Sequence, residues 1–127
     1  MISERILLDS SAWMSYFLAE NDLGKNFIEE GKHLLLTSVL SIFEIKRNML
    51  KKKIGSAKIE EFLKFLKNRS LLIEINEKVC AGAVELSLKY NLHTIDSLIY
   101  CSAKLNYATL ITGDSHFEKL ENVFILK

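Results

Sequence analysis

The chain of 127 residues contains no proline, and it shows no low-complexity segment, no internal repeat and no linker. Nothing therefore marks a seam between domains, and the length suits one domain around one substantial core. Cysteine is scarce. Cys80 and Cys101 each fall inside a helical pattern and form no metal-ligand spacing, so both are expected as buried, reduced thiols. Long hydrophobic runs are missing as well. None approaches the roughly 18 residues of a membrane span, and the opening Ile2-Ser3-Glu4-Arg5 lacks the pattern of a signal peptide. The expectation is a cytoplasmic protein with no membrane association. An excess of charge is also absent: 17 basic residues against 16 acidic leave +1, which by itself names no partner. With 49% apolar and 26% charged residues, the composition is that of a soluble globular protein.

What is present is an alternation of short apolar runs with helical patterns. Ile6-Leu7-Leu8 is apolar throughout and ends at Asp9; Ser10 or Ser11 then caps a helix that turns Trp13, Tyr16 and Phe17 inward. A second helix from Asp22 to about Glu30 stops at Gly31, a left-handed position. His33 to Thr37 reads as a strand, and Ser38 opens a helix through about Lys52 whose apolar positions are Ile42, Phe43, Ile45, Met49 and Leu50. Gly55 breaks that pattern. Ser56 to Asn68 forms a further helix with Ile59, Phe62, Leu63 and Leu66 inward, and Leu71 to Ile75 is a third strand. Asn76 caps a helix to about Tyr90, with Asn91 as its left-handed stop. Thr94 caps the next helix, the run at Ala108–Ile111 makes a strand, and Val123 to Leu126 closes the chain as another. Strands apolar along their whole length, separated by helices, predict an α/β fold. The expected form is a three-layer α/β/α sandwich around a mainly parallel sheet of four to five strands.

In such sheets, sites form beyond the carboxyl ends of the strands. Asp9 ends the first strand there. Glu44 lies near the start of the helix that leaves the second. Asp96 sits in the first turn of the helix that feeds the strand at Ala108–Ile111, and Asp114 follows that strand after Thr112-Gly113. A helix leading into a parallel strand runs antiparallel to it, so the helix start and the strand end share one edge. Each acid has an ordinary structural explanation: first-turn dipole for Asp96, turn chemistry for Asp114, capping-box spacing from Ser41 for Glu44. Four acids from four segments at one edge are a different matter. Without cations they would repel, and burial would add a desolvation cost. A hard divalent ion resolves both problems, and oxygen-only ligands suit Mg²⁺ or Mn²⁺. Such ions serve hydrolysis of phosphodiesters, so the residues point to a metal-dependent phosphodiesterase or nuclease.

A basic stretch from Lys46 to Arg69 holds nine lysines and arginines against Glu60 and Glu61. Within it, Arg47, Lys51, Lys52 and Lys53 are candidate phosphate contacts; the other reading is a solvated helix face.

The segments LLDSSAW at Leu7–Trp13, Glu44 after the second strand, IDSLIYCSAK at Ile95–Lys104 and LITGDSHF at Leu110–Phe117 together resemble the motifs of PIN-domain nucleases. The branch they are most similar to is the small ribonuclease toxins of VapBC toxin–antitoxin systems, and the resemblance runs through the whole chain in order. It implies that Asp9, Glu44, Asp96 and Asp114 bind Mg²⁺ or Mn²⁺. It also implies that Ser10 and Thr112 orient water or a neighbouring acid. It further implies metal-dependent RNA hydrolysis leaving a 5′-phosphate and a 3′-hydroxyl, a homodimer, and a cognate antitoxin protein that blocks the site. His116 stands where many relatives carry another acid and is expected as a polar rim residue, since its pattern offers no orienting partner.

Two rivals are a catalytically silent PIN-like interaction domain and a phosphoacceptor receiver. The receiver would need paired acids after the first strand, where this chain has Asp9-Ser10-Ser11, and an acid ending the strand at Leu34–Thr37, where it has none.

Overall fold

The computed structural model describes residues 2–20 and 22–126. In chain order the elements are β1 (Arg5–Leu8), α1 (Ser10–Phe17), α2 (Asp22–Glu29), β2 (Leu34–Ser38), α3 (Val39–Lys51), α4 (Ser56–Arg69), β3 (Leu71–Ile73), α5 (Glu77–Tyr90), α6 (Thr94–Leu105), β4 (Thr109–Thr112), a 3-10 turn (Ser115–Phe117) and β5 (Val123–Ile125). The five strands form one sheet in the order β3-β2-β1-β4-β5, and every neighbouring pair is parallel. The expected α/β/α sandwich is what folds.

Continuous apolar strands serve both faces of that sheet. Ile6 and Leu8 of β1 point to one side and join Trp13, Ile28, Ile45, Met49 and Leu66 from α1–α4. Leu7, Leu36 and Leu110 point to the other and meet Ile99, Tyr100 and Ala103 of α6. Burying a side chain of this size contributes about 1.5–3 kcal/mol over leaving it in water, so the central strands hold the two helical layers together. Helix α5 packs on α6 through Val79, Ala83 and Cys101.

Most predicted stops and starts are realised. Ser38 caps α3 by accepting from the Leu40 amide, and Asn76 caps α5 through the Val79 amide. Asn91 and Gly31 are left-handed, at φ 53° and 70°. The corner between α5 and α6 is made by that left-handed Asn91 followed by Leu92 and His93.

Several expectations change. Asp9, and neither Ser10 nor Ser11, caps α1, because its carboxylate accepts the Ala12 amide. Thr94 is the first helical residue of α6 and His93 the cap residue, with the Ser97 amide bonding the His93 carbonyl at 2.9 Å. Cys80 is exposed while Cys101 is buried. Residue 80 follows the buried Val79, and the roughly 100° step per helical residue turns it off the face that meets α6. Phe43 and Leu50 are also exposed, since α3 buries the Ser41–Ile45–Met49 stripe. No helix among the described residues is long and apolar enough to cross a membrane.

Candidate active site

The chain builds β1, β2 and β3 in one direction across the sheet and then returns through α5 and α6 to place β4 beside β1. The order reverses between β1 and β4. At such a switch point the connections leave to opposite sides and open a crevice beyond the strand ends. Asp9 closes β1 there, its amide bonded to the Ile111 carbonyl of β4 at 3.1 Å, and Asp114 follows β4.

Asp9 is almost fully buried, and hydroxyls surround it. Its Oδ1 accepts from Ser11 Oγ at 2.6 Å and from the Ala12 amide at 3.0 Å, and its Oδ2 accepts from Thr112 Oγ1. Burial pushes its pKa up to about 6; the bonds from Ser11, Thr112 and Ala12 oppose that rise, and the nearby charge of Glu44 adds to it. Thr112 also accepts the Asp114 amide at 3.0 Å, so one buried hydroxyl links the first and last acids. Ser11 Oγ accepts the Gly113 amide at 2.8 Å and ties the loop after β4 to the start of α1.

Glu44 is half-buried on α3 and accepts from Ser10 Oγ at 3.1 Å. Ser41 is buried inside α3 and caps nothing, so the capping-box explanation of Glu44 falls. Burial raises the Glu44 pKa first, and the charges of Asp96 and Asp114 raise it further. Asp96, half-buried in the first turn of α6, is raised by burial and then by Asp114, against a lowering by His116 and His93. Glu44, Asp96 and Asp114 therefore lie close enough to feel one another, and Asp9 feels Glu44. The four acids share one edge.

Among the described residues no lysine or arginine pairs with any of the four. The donor set fits a divalent cation: one donor atom each from Asp96, Asp114 and His116 lies within 4.8 Å of the others, a spacing that a single ion can span. Burial first, and then the neighbouring acids, favour the protonated forms of Asp9, Glu44 and Asp96.

His116 departs from the expectation of a residue without an orienting partner. Its Nδ1 lies 3.2 Å from Asp114 Oδ1, and its ring meets His93 edge-on at 6.2 Å. That places its ring at the mouth of the site with a carboxylate beside it. Ser11 is the other residue that sequence reasoning misses. Its signal in the chain is the serine doublet after Asp9, which reads simply as a choice of two caps.

The predicted phosphate contacts lie along α3 away from Glu44. Arg47 borders a hollow shared with Glu44, Phe43 and Ile95; Lys51 is one turn further, and Lys52 and Lys53 are exposed at the helix end. Lys46 is partly occupied by Glu60 at 3.5 Å.

The PIN domain family matches residues 6–123. No curated protein matches the chain in sequence. Among solved structures, VapBC2 of Rickettsia felis bound to a DNA fragment from its promoter aligns with a TM-score of 0.81 at 18% identity, covering 97% of this chain and 99% of that one. A toxin–antitoxin complex from Klebsiella pneumoniae gives 0.77 at 20% identity, covering 94% and 95%. VapC20 of Mycobacterium tuberculosis, a toxin that cleaves the sarcin–ricin loop, gives 0.74 at 13% identity, covering 96% and 99%.

Proposed function

The chain belongs to the PIN-domain family, and on that premise we propose that it is a metal-dependent endoribonuclease, the toxin of a toxin–antitoxin pair. One observation carries the reading: four acids meet at the switch point of the sheet, and no lysine or arginine among the described residues balances them. A silent interaction domain has no use for that uncompensated charge.

Asp9, Glu44, Asp96 and Asp114 would hold the Mg²⁺ or Mn²⁺. When bound, the ion supplies charge to neutralise the phosphodiester and lowers the pKa of water for attack. The chain's own residues do the positioning. Thr112 and Ser11 keep the Asp9 carboxylate in one orientation, and Ser10 does the same for Glu44. Hydroxyl donors stabilise the ionised carboxylates that a cation needs, at a depth where burial alone would protonate them.

A groove of about 470 Å³, bordered by Tyr16, Phe17, Phe62 and Phe65 with Glu29 and Lys25 at its rim, is apolar enough to hold a segment of the antitoxin. Val84 and Leu88, one turn apart on α5 and 58% and 81% exposed, suit contact with a second copy in a homodimer. Reduced thiols and an RNA substrate suit the cytoplasm.

The test is cleavage of total RNA by purified protein with Mg²⁺ or Mn²⁺ and after chelation. Cleavage should stop in EDTA; activity untouched by thorough chelation would overturn the mechanism. Suppression by a co-encoded protein tests the toxin role, and light scattering at micromolar concentration tests the dimer.

A further inference from the structure

Two of the three histidines in the chain stand beside the acids. His93 is the cap residue of α6, three positions before Asp96, and His116 lies two positions after Asp114. His33 is elsewhere, just before β2, with Nδ1 against the Ser3 carbonyl. The turn that carries His116 is held on both sides of the residue. Its backbone amide donates to Asp114 Oδ1 at 2.9 Å, and the next residue, Phe117, is buried in the core. The backbone thereby presents the ring to the acids. Its Nδ1 lies 3.2 Å from Asp114 Oδ1, the His93 ring meets it edge-on at 6.2 Å, and Asp96 feels both imidazoles. A donor atom of His116 joins one from Asp96 and one from Asp114 in a group spanning no more than 4.8 Å. Lysine or arginine would answer the charge of the acids more fully, and among the described residues neither pairs with them. A neutral imidazole offers what those side chains lack, a nitrogen lone pair for a cation.

We propose that His116 is a nitrogen ligand to the ion held by Asp96 and Asp114, and that it makes the site favour a first-row transition ion over Mg²⁺. The inference rests on the metal-binding half of the reading above, not on RNA cleavage, and names the kind of ion. Mg²⁺ takes oxygen ligands and keeps several of its waters, so an imidazole adds little to its binding. Co²⁺ and Zn²⁺ bind imidazole nitrogen well. Two carboxylates and one imidazole make three protein donors, a number that leaves positions on the ion open to water or a phosphate oxygen. Oxygen ligands alone already rank the transition ions among themselves, so the mark of His116 is the share of the preference that disappears with it. His93 falls outside this trio of donors and braces the His116 ring.

The experiment reads binding directly, on full-length protein stripped of metal and reloaded. Titration calorimetry gives the affinities of wild type, His116→Asn and His93→Asn for Mg²⁺, Co²⁺ and Zn²⁺. Asparagine at position 116 keeps the turn, because the Asp114 carboxylate holds the backbone amide there and not the ring alone. His116→Asn should bind Co²⁺ and Zn²⁺ at least about tenfold more weakly, the low end of what even an outer-shell partner costs, and Mg²⁺ within about twofold of wild type. Pulsed EPR of the Mn²⁺ form, with the histidine nitrogens isotopically labelled, tells a ligand from such a partner. Nitrogen coupling should be present in wild type and His93→Asn and absent from His116→Asn. Equal losses for Mg²⁺ and Zn²⁺ in His116→Asn would overturn the selectivity, and a bound ion without nitrogen coupling would overturn the ligand. Coupling that survives in His116→Asn and vanishes in His93→Asn would also overturn it and assign the nitrogen to His93. A wild type that binds no divalent ion would sink the proposal together with the metal site. A nitrogen-coupled ion in a protein that cuts no RNA would support the proposal and sink the ribonuclease reading alone.

Discussion

At one corner of the site both oxygens of Asp9 are taken, by Ser11, Ala12 and Thr112; at the other, Asp96 accepts no hydrogen bond among the described residues and faces Asp114 and His116. Both are aspartates at the same sheet edge. Asp9 caps α1 and anchors the junction of β1 with β4, so the fold needs it whether or not chemistry happens there. Asp96 contributes little to the fold beyond its favourable place in a helix's first turn, which is worth about 0.3–1 kcal/mol. A carboxylate held half-buried beside the like charge of Asp114 and without a donor is a cost that a bound cation would offset. The difference separates what the site owes to folding from what it owes to function.

The largest effect is expected from Asp96→Asn, which removes the acid least engaged in the fold. It should lower RNA cleavage by at least about a hundredfold, beyond the 10–100-fold typical of outer-shell changes. It should also leave the metal-free protein as stable as the wild type or slightly more so, because one like charge is gone. Melting curves with and without Mn²⁺ complete the test: wild type gains stability from the ion, and the variant loses most of that gain. A destabilised variant that still cuts RNA and still responds to metal would leave Asp96 as a helix-start residue.

Asp9 should show itself through pH. Its carboxyl rises from 3.8 to about 6 on folding, so the folded state binds the proton more tightly than the unfolded state. The metal-free fold therefore gains stability as pH falls from about 6 towards 4, by about 3 kcal/mol from this group. Above pH 6 that contribution is lost. Asp9→Asn has no such titration and keeps a good capping residue, so it should be the more stable protein at pH 7.5. The gap should close as the pH is lowered through this window. Chemical denaturation of both proteins at pH 7.5 and 4.5 measures it, and a gap independent of pH would show that Asp9 ionises as freely as in water.

Thr112→Val keeps the shape of a fully buried residue and removes the hydroxyl that joins Asp9 to the Asp114 amide. It should cost about 1–3 kcal/mol, the penalty for buried partners left unsatisfied. Cleavage should fall about tenfold to a hundredfold through the loosened acids. Denaturant midpoints and initial rates read both effects. The smallest change is expected from replacing Lys51, Lys52 and Lys53 together. For every phosphate that one of these lysines neutralises, its removal should flatten the slope of log affinity against log salt by about 0.7 on a single strand. An unchanged slope returns these lysines to the solvated face.

Much of this edge is legible because it is governed by local rules. A strand apolar at every position has to be covered on both faces, so Ile6–Leu8 and Leu34–Leu36 announce a parallel sheet. Ser38, Asn76, Gly31 and Asn91 announce helix ends through chemistry confined to a turn. The parallel rule alone puts the start of α6 and the end of β4 at one edge. Bonds between segments far apart in the chain are not legible. Ser11 resembles a cap because its partner Gly113 lies 102 residues away. Cys80 resembles a buried residue because an apolar helix position does not say which face the next helix will cover. Phe43 and Leu50 resemble core for the same reason.

Residue types read at short range are enough for the layered fold, its family resemblance and the four acids, since periodicity, capping and the parallel character of the strands follow from them. What each acid is bonded to emerges only on folding, because it depends on which strands become neighbours. Placing β4 beside β1 put the Thr112 hydroxyl against Asp9 and the Gly113 amide against the Ser11 hydroxyl.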